Sequence, residues 1–147
     1  MIDVIGIDHL YVAVSSLQRA ETFYDVLLGR VLGFRKNRFE IGDTAHVQYY
    51  NRHFGYVLRP AVGEVAQGQG GPGLHHFCFR VETIDDVRRV ASELRNAGIE
   101  ATPARAYPEY AEDYWATFVR DPDGMRLEIT NYRAERRDRH DHWDPGT

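Results

Sequence analysis

The feature that most constrains this chain is a repeat. The segment Ile7-Asp8-His9-Leu10-Tyr11-Val12-Ala13-Val14 and the segment Gly73-Leu74-His75-His76-Phe77-Cys78-Phe79-Arg80-Val81 share one form. Aligning His9 with His76 also aligns Leu10 with Phe77, Val12 with Phe79 and Val14 with Val81. Each segment reads as a strand with one apolar face on alternate positions and a histidine at its entrance. A helix-capping residue follows each histidine by 7 positions, Ser16 in the first half and Thr83 in the second. A duplicated unit points to two small modules sharing a core, and it outweighs any single motif.

In the first half, residues 4–14 are expected to form a strand. Ser15 and Ser16 offer N-caps, and Ser15 with Gln18 has capping-box spacing. Leu17, Ala20, Phe23 or Tyr24, Leu27, Leu28 and Val31 then recur at helical spacing until Gly33. This helix should cover the Leu10, Val12 and Val14 face and leave His9 and Tyr11 turned away from it. Three strands follow at about 34–39, 45–51 and 55–59, separated by Ile41-Gly42-Asp43 and by Asn51-Arg52-His53-Phe54-Gly55, and stopped by Pro60.

The second half repeats the plan. Thr83 with Asp86 caps a helix whose buried stripe is Ile84, Val87, Val90, Ala91 and Leu94, and Asn96-Ala97-Gly98 ends it. A short strand near 99–102, a loop over 103–113, a strand over 114–120, the turn Asp121-Pro122-Asp123-Gly124 and a strand over 125–131 complete the unit. Both halves read β-α-β-β-β. The expected division is a first module over 1–62, a glycine-rich linker or flap over 63–73, a second module over 74–131 and a charged tail over 132–147. The glycine run is a poor phosphate cradle, because a strand follows it where a helix N-terminus would be needed. The tail mixes charges without apolar periodicity and reads as solvated or poorly ordered, with packing through Trp143 as the other option. His140 and His142 alternate with aspartates there and offer adventitious metal binding at most.

Bulk properties exclude several function classes. A net charge of −4 gives no basic field for nucleic acid. The one cysteine, Cys78, forbids an internal disulfide. No apolar run approaches the ~20 residues that span a bilayer, and no export signal opens the sequence. The expectation is a cytoplasmic protein without membrane or nucleic-acid partners.

The pieces Asp8-His9-Leu10, Phe23-Tyr24, Gly73-Leu74-His75-His76-Phe77 and Asp121-Pro122-Asp123-Gly124-Met125-Arg126-Leu127-Glu128, in this order on this repeated plan, resemble the vicinal oxygen chelate superfamily. That superfamily includes glyoxalase I, methylmalonyl-CoA epimerase, extradiol dioxygenases and drug-resistance proteins. The resemblance covers roughly residues 5–131. It implies an α+β fold of paired βαβββ modules forming a curved mixed sheet around a concave metal site. Carried over by position, the metal ligands would be His9, His76 and Glu128, holding one divalent ion (Zn, Ni, Co, Mn or Fe). Two imidazoles and a carboxylate suit such ions and leave positions open for substrate. Strand alternation agrees: His76, Cys78 and Arg80 share a face, as do Arg126, Glu128 and Thr130. Cys78 reads as a small filler and His75 as structural, on the parity of Phe77 and Phe79. The resemblance also implies a homodimer.

A fourth ligand is often taken from the last strand of the first module. Aligning Gly55 with Gly124 puts Arg59 opposite Glu128, and arginine cannot ligate. Aligning the preceding strand puts Gln48 there, but Gly33 to Gln48 is 15 residues against 30 from Gly98 to Glu128. Three protein ligands are therefore expected, with Gln48 as the alternative fourth. Arg59 either holds a substrate carboxylate or forms a surface ion pair. Tyr11, Gln48, Arg59 and Tyr114 are the candidate substrate contacts, with His46 and Tyr50 as further pocket-lining candidates.

The implied activity is that of a glyoxalase-like lyase or isomerase. It acts on a small oxygenated substrate through a metal-stabilised enediolate, with Glu128 as ligand and catalytic base. An extradiol dioxygenase would use the same three ligands with Fe(II). Its signature tyrosine, four residues before the turn proline, is Phe118 here, and no histidine lies between His76 and His140. The third reading is a metal-free binding module that sequesters a drug in an aromatic cleft. Tyr49, Tyr50, Tyr56, Tyr107, Tyr110, Tyr114 and Trp115 would suit it, but both histidines and Glu128 would then have no task.

Overall fold

The computed structural model describes residues 1–63 and 71–145. Most of the glycine-rich linker therefore lies outside the described residues. Each half folds to the same plan. The first is β1 (His9–Val14), α1 (Leu17–Tyr24) running on into a π-helical stretch (Asp25–Val31), β2 (Arg35–Ile41), β3 (Thr44–Tyr50) and β4 (Gly55–Pro60). The second is β5 (Phe77–Val81), α2 (Ile84–Asn96), β6 (Arg105–Ala106), β7 (Trp115–Arg120) and β8 (Arg126–Asn131), followed by α3 (Glu135–Asp141). The strands form two four-stranded mixed sheets, ordered β1-β4-β3-β2 and β5-β8-β7-β6. In both, the first strand lies parallel to the last. The duplication expected from sequence thus holds in topology, and β1 and β5 each form one edge of their sheet, with β2 and β6 at the other.

The apolar parities meet in one core. Phe77 and Phe79 of β5 pack on Tyr56 of β4, with ring centroids 6.3 and 5.8 Å apart, and on Phe54. Tyr24, Leu27 and Leu28 from the first helix and Leu94 from α2 are fully buried in the same cluster as Leu58, Leu127 and Ile129. Burying each such side chain contributes roughly 1.5–3 kcal/mol. Because successive side chains alternate, the faces bearing His9 and Tyr11 and bearing His76, Cys78 and Glu128 are turned away from that core.

The modules are also tied by polar contacts. Tyr24 donates its hydroxyl hydrogen to Asp121 Oδ2 at 2.9 Å and lies 3.0 Å from the Tyr56 hydroxyl. Asp121 in turn accepts the backbone N–H groups of Asp123 and Met125. Burial raises the Asp121 carboxyl above its usual range, although these donors pull the other way. Ser15 donates its backbone N–H to Asp123 Oδ2 at 3.0 Å and its hydroxyl to the same carboxylate. The turn of the second module therefore grips the end of β1.

Several expectations are corrected. The first strand begins at His9 rather than at residue 4, and Ile2, Val4, Ile5 and Ile7 are exposed. Of the two offered caps, Ser16 caps α1 as the repeat expected, accepting from Arg19 N–H, while Ser15 is engaged by Asp123 and its capping-box spacing with Gln18 is not used. The helix widens at its end, where Leu32 and Phe34 donate to Leu27 and Leu28. Thr83 and Asp86 form the expected capping box. In place of a strand over 99–102 there is a single bridge from Ala101 to Val119. Pro103 has no N–H to extend the ladder, and pairing resumes only at β6, inside the expected loop. The tail is solvated, as expected, but helical in part: residues 135–141 form α3, none of them buried, and Trp143 is 74% exposed. Among the described residues, no helix is long and apolar enough to cross a membrane.

Candidate metal centre

Glu128 is the centre of the second module's polar face. It sits in mid-β8, directly beside Cys78 of β5 and opposite Phe118 of β7, and is only 4% exposed. A buried carboxylate needs partners. Its Oε2 lies 3.0 Å from His76 Nε2, and its Oε1 accepts the Tyr114 hydroxyl. Tyr114 is positioned by its loop. Asp113 adopts a left-handed conformation at φ 57°, and Asn131 clamps the segment by donating to Asp113 O and accepting from Trp115 N–H. The Arg133 guanidinium lies 4.2 Å from the Tyr114 ring centroid and is paired with Glu135 at 2.6 Å. The tail thus backs this site.

Burial, then the hydrogen bond to Glu128, pushes the Tyr114 phenol well up, so it stays protonated. Burial, and after it the neighbouring Glu128 carboxylate, push the Cys78 thiol up to about 12. His75, expected to be structural, does more than pack. It is exposed, and its Nδ1 lies 2.8 Å from His76 Nδ1. This contact orients the His76 ring, whose Nε2 faces Glu128. Sequence reading missed this, although the adjacent histidine pair was the available signal.

His9 opens β1 on the other sheet. Its Nδ1 lies 2.6 Å from Asp8 Oδ2, which orients the ring and leaves Nε2 directed elsewhere. It shares an open pocket of about 720 Å³ with Tyr11, Asn37, Gln48, Tyr50 and Val57. Gln48 lies close beside it: a Cβ added at Gly55 would come 2.6 Å from Gln48 Nε2 and 3.6 Å from His9 Cβ. Glycine at 55 is what lets that amide reach over the backbone. His46 is buried, stacked on Phe39 and bonded to Thr44 O. Arg59 points along the same face farther down β4, outside that pocket, with Nε 3.4 Å from Pro60 O.

The paired registers settle which residue matches Glu128. His9 faces Gly55, so Tyr11 faces Val57, while Cys78 faces Glu128. With His9 equivalent to His76, Val57 is the counterpart of Glu128, and neither alignment that proposed Arg59 or Gln48 holds. Valine cannot ligate. The structure therefore joins His76, Glu128 and Tyr114 on one sheet, and His9, Tyr11 and Gln48 on the other. Among the described residues, no three His, Cys, Asp or Glu side chains lie close enough to hold a metal. The donors present fit a divalent ion as two complementary portions: an imidazole with a carboxylate, and a carboxylate-oriented imidazole.

The duplicated βαβββ unit matches a known class of proteins. The sequence model of the Glyoxalase/Bleomycin resistance protein/Dioxygenase superfamily matches residues 6–129, and the chain belongs to that superfamily. A glyoxylase/bleomycin resistance protein/dioxygenase domain from Frankia sp. EAN1pec has a similar structure (TM-score 0.72, 24% identity, 89% of this chain and all of that one). A mutant of the fosfomycin resistance protein FosX from Listeria monocytogenes, complexed with Mn(II) and 1S,2S-dihydroxypropylphosphonic acid, is similar at TM-score 0.65 and 14% identity over 92% of this chain and 98% of that one. Lactoylglutathione lyase from Agrobacterium tumefaciens is similar at TM-score 0.61 and 20% identity over 88% and 94%. At these identities the likeness establishes the fold.

Proposed function

We propose that the chain is a divalent-metal-dependent enzyme, a glyoxalase-type lyase or isomerase acting on a small oxygenated substrate, and that it works as a homodimer with shared sites. The observation that carries this reading is the buried Glu128 carboxylate held 3.0 Å from His76 Nε2 on a sheet whose neighbouring edge is free. Both first strands are edges, and each presents its histidine at the entrance. Setting β1 of one copy against β5 of another brings His9 to His76 and Glu128 without disturbing either core, and it covers two exposed edges.

His9, His76 and Glu128 would hold the divalent ion, which when bound would supply Lewis acidity to a carbonyl or hydroxyl oxygen. Glu128 acts as ligand and as base, removing the proton next to the carbonyl to give an enediolate of the substrate. Tyr114 keeps its own proton and fixes the carboxylate through Oε1. Asp8 and His75 orient the two imidazoles. Tyr11 and Gln48 line the substrate space from the other module, with Arg59 farther along the same face.

The test combines metal content with complementation. Wild-type protein should hold one ion per site, and His9→Ala and His76→Ala should each lose it. Mixed dimers of the two variants should regain one intact site, with turnover of methylglyoxal–thiol adducts. A monomer that binds the ion fully, or an ion retained by His76→Ala, would overturn the reading. Metal-free protein that binds ligand normally would favour sequestration instead.

A further inference from the structure

The Glu128 face of the second sheet runs on into a separate open pocket of about 720 Å³, lined by Arg105, Arg120 and Arg126. Register places all three guanidinium groups on that face. Arg120 is directly opposite Arg126, Phe118 is opposite Glu128, and Arg105 is opposite Ala116. Like charges facing each other across two strands repel. Arg19, Arg38, Arg88, Arg89, Arg133 and Arg139 are the arginines with a carboxylate partner among the described residues, fewer than half of those in the chain. Among the described residues, these three do not form such a pair, even with Glu100 and Glu109, which also line the pocket. Cations have gathered here in a chain whose net charge is −4.

The groups are held in place. The Arg105 guanidinium lies 3.9 Å from the centroid of the buried Tyr107 ring, and that of Arg126 lies 4.3 Å from the Phe118 centroid. Arg105 Nη1 donates to Ala106 O at 3.4 Å, and Arg120 Nη1 donates to Gly124 O at 2.9 Å. Guanidinium groups resting on aromatic rings keep N–H edges for a planar anion. Tyr110 stacks on Tyr107 at 5.4 Å and extends an aromatic wall beside them.

We propose that this pocket binds a carboxylate carried on an apolar or aromatic body, and that it receives the anionic end of the substrate whose other end reaches Glu128. The assignment to the substrate rests on the metal-enzyme reading above; carboxylate binding itself does not. The experiment titrates the full chain with benzoate, and with benzyl alcohol as the neutral control, by heteronuclear NMR. Benzoate should bind at least about tenfold more tightly than benzyl alcohol, with shifts centred on Arg105, Tyr107, Phe118 and Arg126, and added salt should weaken it. The double variant Arg105→Gln/Arg126→Gln, checked by an unchanged melting temperature, should lose benzoate at least about tenfold. Glu128→Gln should keep it. No saturable benzoate binding, equal binding of both probes, or full binding by a folded double variant overturns the proposal. A wild-type protein that binds benzoate but no divalent ion would sink the metal reading and leave this one standing.

Discussion

The two modules share strand order, parallel closure and a histidine at the same register, yet their polar faces have diverged. The first is an open, mostly uncharged pocket in which His9 is exposed and Val57 occupies the acid's position. The second buries Glu128 under Tyr114 and His76, braces it from the tail through Arg133, and continues into three arginines that no described carboxylate pairs. Duplication preserved the frame, which the common core enforces, while each polar face, free of that core, took on its own chemistry. One module supplies an oriented imidazole. The other supplies the acid and the charge.

That division can be broken most severely at its acid. Glu128→Gln should weaken divalent-ion binding at least about 100-fold, measured by competition with a chelating dye, while leaving thermal stability nearly unchanged. The reverse transplant, Val57→Glu, places a carboxylate where the first module has no counterpart of Tyr114 and has only the exposed His9, already bonded to Asp8, in place of His76. It should destabilise the fold by about 1–3 kcal/mol in urea denaturation. A stable variant that gained a second ion would show the modules to be interchangeable. Asp8→Asn should lower ion affinity by about tenfold through loss of ring orientation. Gly55→Ala should cost about 1 kcal/mol or less by displacing the Gln48 amide, and Gln48→Ser should relieve it, as read by melting temperature.

The smallest expected effect lies in the cross-module contact. Burial, first of all, raises the Tyr24 and Tyr56 phenols, with Asp121 and, for Tyr24, its neighbour Tyr56 adding to it. Their native values stand above the unfolded value of about 10. The stability they contribute is therefore fully present below about pH 10 and is lost as pH rises beyond it. A melting series from neutral to alkaline pH should show this loss, and Tyr56→Phe should flatten it.

Much of this was legible in the sequence because it rests on periodicity. The repeat, the alternation that sets His76 and Glu128 on one face, and the Thr83 capping box are all local signals. What was not legible depended on contacts between distant segments. Ser15 leaves its capping-box spacing with Gln18 unused and is engaged by Asp123, remote in sequence. The register that makes Val57 the partner of Glu128 follows from pairing β4 with β1 and not from counting between glycines. The cation trio is spread over β6, β7 and β8, and β6 is too short to announce itself. Nor does periodicity say which way two equivalent faces turn once their backs are packed together.

The bond from Tyr24 to Asp121 has a consequence for biosynthesis. A nascent chain that has emerged only through its first module holds the Tyr24–Tyr56 hydroxyl pair without its carboxylate acceptor, and an aromatic surface awaiting Phe77 and Phe79. Completion of that module must wait until the ribosome has delivered the turn near the end of the second. A gene cut at the linker would accordingly yield fragments prone to cling to one another rather than two independent proteins.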